Sequence, residues 1–208
     1  MPVLKKHDEQ ANGILDGDDA DELLSYLRRF KYASRPHVIL EIIWQMGMRL
    51  RALRSFDVAD YDGENKSLLL EHRPDMNTPL KNGEEGERLV ALTAETCRVI
   101  DDWMDHNRHD VTDDYGREPL LTTENGRIRA SSIRDEVCFV TRLCFYGADC
   151  PAGRDPDECK ATDHGHYSKC PSNVSPHDIR RGRNNCRRCE DREACRLGSL
   201  RVPRSRRR

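Results

Sequence analysis

The residues with the clearest chemical potential lie in the stretch Ser175-Pro176-His177-Asp178-Ile179-Arg180-Arg181-Gly182. Its start carries the signals of a helix. Ser175 can cap, Pro176 suits the first helical position, and Asp178 stands three residues after the cap, as in a capping box. On such a helix His177 and Arg180 are spaced i, i+3 and share one face. Together they can grip a phosphate. The guanidinium offers a bidentate fork, and the imidazole adds a hydrogen bond or moves a proton. The same spacing also occurs on plain solvated turns, so the pair needs further residues to define a site.

A second stretch, Trp44-Gln45-Met46-Gly47-Met48-Arg49-Leu50-Arg51-Ala52-Leu53, supplies one. Ahead of it Val38, Ile39, Ile42, Ile43 and Met46 repeat at helical spacing and read as core. Gly47 ends that helix or allows a close approach. Arg49 then stands where the chain leaves the core and can aim into a cleft. A surface Arg near a helix end is the plainer reading, and it fits Arg51 and Arg54 well.

Taken together, the two stretches resemble the catalytic domain of tyrosine recombinases, the phage-integrase family. There an early Arg follows a helix and a Gly, a Lys lies on a β-hairpin, and a His-x-x-Arg helix comes later. The resemblance assigns these roles to Arg49, Lys81, His177 and Arg180 and covers residues 18–182. The phrase before His177, with its Cys-rich segment, looks most like integrases of halophilic archaea. What the resemblance implies is site-specific DNA recombination or integration, with double-stranded DNA as partner. Arg49, Lys81, Arg180 and Arg181 would contact the DNA. The arginines would hold the phosphate, Lys81 would protonate the leaving 5′ oxygen, and His177 would assist proton movement, all without a metal. The family has an acidic residue three positions after its early Arg. Here that position is Ala52, so the carboxylate is missing or Asp57 replaces it.

The positioning elements follow from local patterns. Residues 1–17 are polar and read as a leader. Asp18 or Asp19 caps a helix with Leu23, Leu24, Leu27 and Phe30 as its stripe, and Pro36 begins the next. Residues 65–73 read as a strand with Leu68 and Leu70 on one face. Residues 80–92 read as a second hairpin piece turning at Asn82-Gly83 or Glu85-Gly86, with Lys81 beside the turn. Thr93 caps a helix to about Asn107, with Cys97, Ile100, Trp103 and Met104 inward. Ser132 with Asp135 opens another, with Ile133, Val137, Val140 and Cys144 in register. The sum is a mixed α/β fold, mainly helical, with a small antiparallel sheet bearing Lys81 and a Cys-rich insert over 144–172.

In that insert Cys144, Cys150, Cys159 and Cys170 stand among Gly, Pro, Asp and Lys with almost no apolar residues. Such a segment cannot build a core of its own. Four thiolates suit structural, tetrahedral Zn²⁺, and His164 or His166 could replace one. A loop with reduced thiols is the alternative.

The chain has 208 residues, nine cysteines and a formal net charge of −2, which fits one main domain. No apolar run approaches a membrane span, and the start lacks the apolar core of a signal peptide. A cytoplasmic protein with reduced cysteines is expected by default. From Arg181 onward there are eleven arginines and three acids. Setting these aside from 35 basic and 37 acidic residues leaves a body of 24 and 34. An acidic body suits DNA binding poorly unless the protein works in high salt, where exposed charge is screened. Residues 183–208 read as an Arg-rich, disordered tail. No tyrosine follows His177. Three readings stand: a recombinase catalytic domain truncated at both ends and without its nucleophile, a non-enzymatic DNA-binding module or competitor acting beside an intact relative, and a zinc-stabilised domain with no nucleic-acid role.

Overall fold

Helix α2 (Arg35–Met46) is the element on which the others are laid. Val38, Ile39, Leu40, Ile42 and Ile43 are all buried, and so are His37 and Glu41. A helix apolar on every side needs neighbours all round. In the computed structural model, which describes residues 14, 15 and 17–186, it has them. Helices α1 (Gly17–Phe30), α3 (Leu50–Ser55), α4 (Ala94–His106), α5 (Ala130–Val140) and α6 (Pro176–Cys186) all pack against it. Strands β1 (Tyr61–Asp62), β2 (Ser67–Leu70) and β3 (Arg88–Ala91) form an antiparallel sheet in that order, with Leu68 opposite Val90. A second small hairpin pairs β4 (Thr122–Thr123) with β5 (Gly126–Arg127). The fold is mixed α/β and mainly helical, as the sequence indicates. No helix among the described residues is long and apolar enough to cross a membrane.

Local signals act as expected in several places. Thr93 caps α4 by accepting from the Thr96 backbone N–H at 3.1 Å. Leu68 and Leu70 share the buried face of β2. Elsewhere the structure departs from the sequence pattern. Phe30 is 56% exposed and packs on Tyr26 at the surface, because α1 ends there and its stripe closes at Leu27. Helix α5 starts at Ala130 rather than Ser132 and stops at Val140, so Cys144 lies past it in a 3₁₀ turn. Lys81 sits on the long connection from β2 to β3, ahead of the 3₁₀ turn Gly83–Gly86, and not on a strand. Helix α6 runs on past Gly182 to Cys186. The leader through Gly13 and the tail from Arg187 lie outside the described residues.

Two glycines explain how α6 reaches α2. Gly47 ends α2 at φ +60°, and its N–H donates to Ile43 O at 2.8 Å. A Cβ there would also stand 3.2 Å from Asn184 Oδ1. On α6 itself, a Cβ on Gly182 would collide with the backbone carbonyl of Leu15. The residue that closes the His-x-x-Arg stretch is thus glycine because the chain entering α1 passes directly over it.

Buried charge is handled in pairs. Glu41 receives Arg28 at 3.0 Å, while burial pushes its carboxyl up. His37 stays neutral. Its Nδ1 accepts from the Ala33 N–H at 3.1 Å, and burial, helped by the Arg28 charge, holds its pKa down at about 4.

Two consequences can be measured. Between pH 6.5 and 4 the unfolded chain takes up a proton at His37 that the folded chain refuses. Folded stability therefore falls as pH drops through that window, by up to on the order of 3 kcal/mol. His37→Asn keeps an acceptor for Ala33 and removes the titration, so urea unfolding should show a shallower acid decline than in the parent. Identical acid slopes would assign the decline to other groups. Separately, Gly47→Ala should cost about 1–2 kcal/mol in the left-handed region, and Gly47→Asn less, because Asn tolerates that region. Equal losses in the two variants would show that the contact with α6, not the backbone, sets the cost.

Candidate functional site

The site is built where α2 ends. After Gly47, Met48 turns back into the core, and Arg49 becomes the extended residue that starts α3, with its carbonyl accepting from Leu53 N–H at 3.0 Å. Arg49 is left exposed at the corner between two helices. Helix α6 arrives at the same corner. Ser175 starts it: its hydroxyl accepts from Asp178 N–H at 3.3 Å and bonds the Asp178 carboxylate at 2.5 Å. Arg180 Nε then donates to Gly47 O at 2.8 Å, and buried Arg183 donates to Gln45 O at 3.3 Å. Both cations thereby bind the free carbonyls and the negative dipole end of α2.

Two adjoining hollows open beside this joint. One, of about 390 Å³, is lined by Arg49, Lys81, Arg134, His177 and Arg180. The other, of about 610 Å³, shares Arg49, Lys81, Arg134 and Arg180 and extends over Arg51 and Arg88. No Asp or Glu lines either one among the described residues. The pKa of Arg180 is lowered first by burial and then by Arg49, whose like charge lies near. Two guanidiniums held together without a carboxylate demand an anion with several oxygens. His177 is exposed in the first turn of α6, at the rim of the smaller hollow.

The structure therefore brings Arg49, Lys81, His177 and Arg180 to one groove. Arg181 lines neither hollow and stands 3.7 Å from Asp178. Arg134 is the residue the sequence reading passed over. It lies one turn into α5, on the exposed side away from the Ile133 and Val137 stripe, and that polar position was its only signal. Asp57 does not serve Arg49. Its oxygens receive Arg73 at 3.2 Å, Arg117 at 3.3 Å and Arg127 in a shorter contact, and Asp60 and Asp113 complete this buried network. Position 52 is a buried Ala and offers no carboxylate to Arg49. Arg54 is structural and donates to Ile128 O at 3.0 Å.

Two further sets lie elsewhere. Cys144, Cys150, Cys159 and Cys170 line a separate small hollow, away from the groove. The ring of Tyr167 packs edge-on against Phe139, with centroids 4.9 Å apart, and carries the Arg142 guanidinium 5.1 Å from its centroid.

No family model matches the sequence, and no curated protein matches it either. Solved structures do. A crystal structure of XerA recombinase matches with a TM-score of 0.53 at 17% identity, over 90% of this chain and 49% of that one. The Tn1549 transposon integrase, in complex with transposon right-end DNA, matches with a TM-score of 0.53 at 13% identity, over 90% and 53%. The same integrase with a circular-intermediate DNA matches at 0.53 and 13%, over 89% and 52%. The chain thus spans about half the length of these proteins. With a central buried helix, flanking helices, small antiparallel sheets and this likeness, the chain has the fold of the tyrosine-recombinase catalytic domain.

Proposed function

We propose that this chain binds duplex DNA along the basic groove and holds one backbone phosphate between Arg49 and Arg180, as the catalytic module of a site-specific recombinase or integrase. The observation that carries this is a cation-lined groove, free of carboxylates, on a chain whose body is acidic. Surface charge of mixed sign needs no explanation; a groove of one sign on a body of the other does. The neighbouring structures support the same direction, since the Tn1549 integrase is seen bound to DNA.

Each residue then has a task. Arg49 and Arg180 neutralise the non-bridging oxygens and the charge that grows on them in the transition state. Lys81, exposed on its connection, reaches the leaving oxygen and gives it a proton. His177, at the rim, exchanges a proton with the phosphate or the nucleophile. Arg134 adds a second-phosphate contact that fixes the register of the duplex. The attacking group of this reaction class is a tyrosine oxygen, which forms a phosphotyrosine as the 5′ hydroxyl leaves. Tyr167 is the last tyrosine of the sequence. Its ring is engaged with Phe139 and Arg142 rather than the groove. The described groove residues thus grip the phosphate without attacking it, and the chain acts either as a recombinase module or as a DNA-binding competitor of an intact relative. Its acidic body suits work in high salt, inside a cell.

Binding should be salt-dependent. A plot of log affinity for duplex DNA against log salt should fall, and Arg49→Ala and Arg134→Ala should each flatten the slope by about one. An unchanged slope in both variants would place the DNA elsewhere. In a suicide-duplex assay resolved under denaturing conditions, no covalent protein–DNA adduct should form. An adduct abolished by Tyr167→Phe would show that Tyr167 leaves its stack and attacks.

A further inference from the structure

We propose that Cys144, Cys150, Cys159 and Cys170 form a structural zinc site with four thiolate ligands, which pins the segment leading into α6. All four are free cysteines, and all four line one hollow of about 10 Å³. That volume suits a single water or ion. Neither His164 nor His166 lines it, which leaves the four sulfurs as the donor set. Among the described residues no group of three or more His, Cys, Asp or Glu stands close enough together to hold a metal ion, so binding requires the four thiols to draw in. The four cysteines line the hollow, and the chain between Cys150 and Cys159 is exposed from residue 151 to 158.

Charge gives an independent reason. Arg142 borders the hollow and is 4% exposed, yet it enters no ion pair among the described residues. Its guanidinium donates to Ala161 O at 2.9 Å and Phe139 O at 3.0 Å, which satisfies hydrogen bonds but supplies no counter-charge. Arg154 borders the same hollow, and no carboxylate does. A buried cation needs an anion nearby. Four thiolates around Zn²⁺ carry a net charge of about −2 and provide one.

The segment also builds no core of its own, although Phe145 and Tyr146 pack against the main one. Between residues 144 and 173 only Ala161 and Cys170 are buried, and the regular structure consists of 3₁₀ turns alone. Where a core is missing, metal binding supplies the folding energy. Cys170 stands shortly before Val174, whose N–H donates to Thr141 Oγ1 at 2.9 Å, and Val174 precedes the Ser175 cap of α6. Zinc therefore fixes the entry to the helix that carries His177 and Arg180. With all four positions taken by protein, no site remains for metal-bound water, so the role is structural.

Protein purified without chelator should contain about one zinc per chain. Cobalt substituted for zinc should show the visible bands of a tetrahedral tetrathiolate. Chelator should release four thiols to a thiol reagent and lower the thermal midpoint. Cys159→Ser should lose the metal, whereas replacing Cys186, Cys189 and Cys195 with Ser should leave it bound. The wild-type measurement stands even where Cys159→Ser fails to fold. Wild-type protein grown with ample zinc but holding well below one equivalent would overturn the proposal. So would intramolecular disulfides among the four cysteines, or metal lost with the three C-terminal cysteines instead.

Discussion

Everything at the groove rests on the contact between the last carbonyls of α2 and two arginines of α6. Helix α2 is buried on all sides, so its C-terminal carbonyls can be satisfied only by a partner brought to them. Arg180 and Arg183, one turn apart, are that partner. The same Arg180 that satisfies Gly47 also lines the hollow, so one side chain both joins helix to helix and shapes the groove. Arg49 needs no separate scaffold, because the turn that exposes the Gly47 carbonyl also throws Arg49 outward. Stability and site geometry are thus set by one joint.

Charge is sorted across the molecule. Three partly buried arginines, Arg73, Arg117 and Arg127, are matched by Asp57, Asp60 and Asp113 in one connected network. Among the described residues no carboxylate lines the groove. A chain acidic over most of its length thus carries a groove lined by cations.

Much of this could be read from residue order. The apolar run before Gly47, the Ser-Pro cap of α6 and the Thr93 cap each act through contacts within a few residues, and they appear where the pattern placed them. Contacts distant in sequence could not be read. Arg134 reaches the groove because α5 packs on α2 and α3, a tertiary fact with no local trace. Asp57 was open to two readings until its partners, up to 70 residues away, were seen. The end of α5 was misjudged because Cys144 continues its apolar spacing, although the helix stops at Val140 and Thr141 turns its hydroxyl onto the Val137 carbonyl at 2.8 Å. Gly182 gave no hint of its reason, which is the backbone of Leu15.

That crossing of Leu15 over Gly182 has a kinetic side. It joins the two ends of the described chain, so the loop it closes encloses nearly the whole domain. The entropy of closing a loop grows with its length, and such contacts form late. Arg49, Lys81 and Arg134 belong to segments that assemble through nearer neighbours, whereas α6 must wait for both α2 and the incoming N-terminal strand of chain to be in place. During synthesis, therefore, the groove gains its His-x-x-Arg half only after residue 182 has left the ribosome.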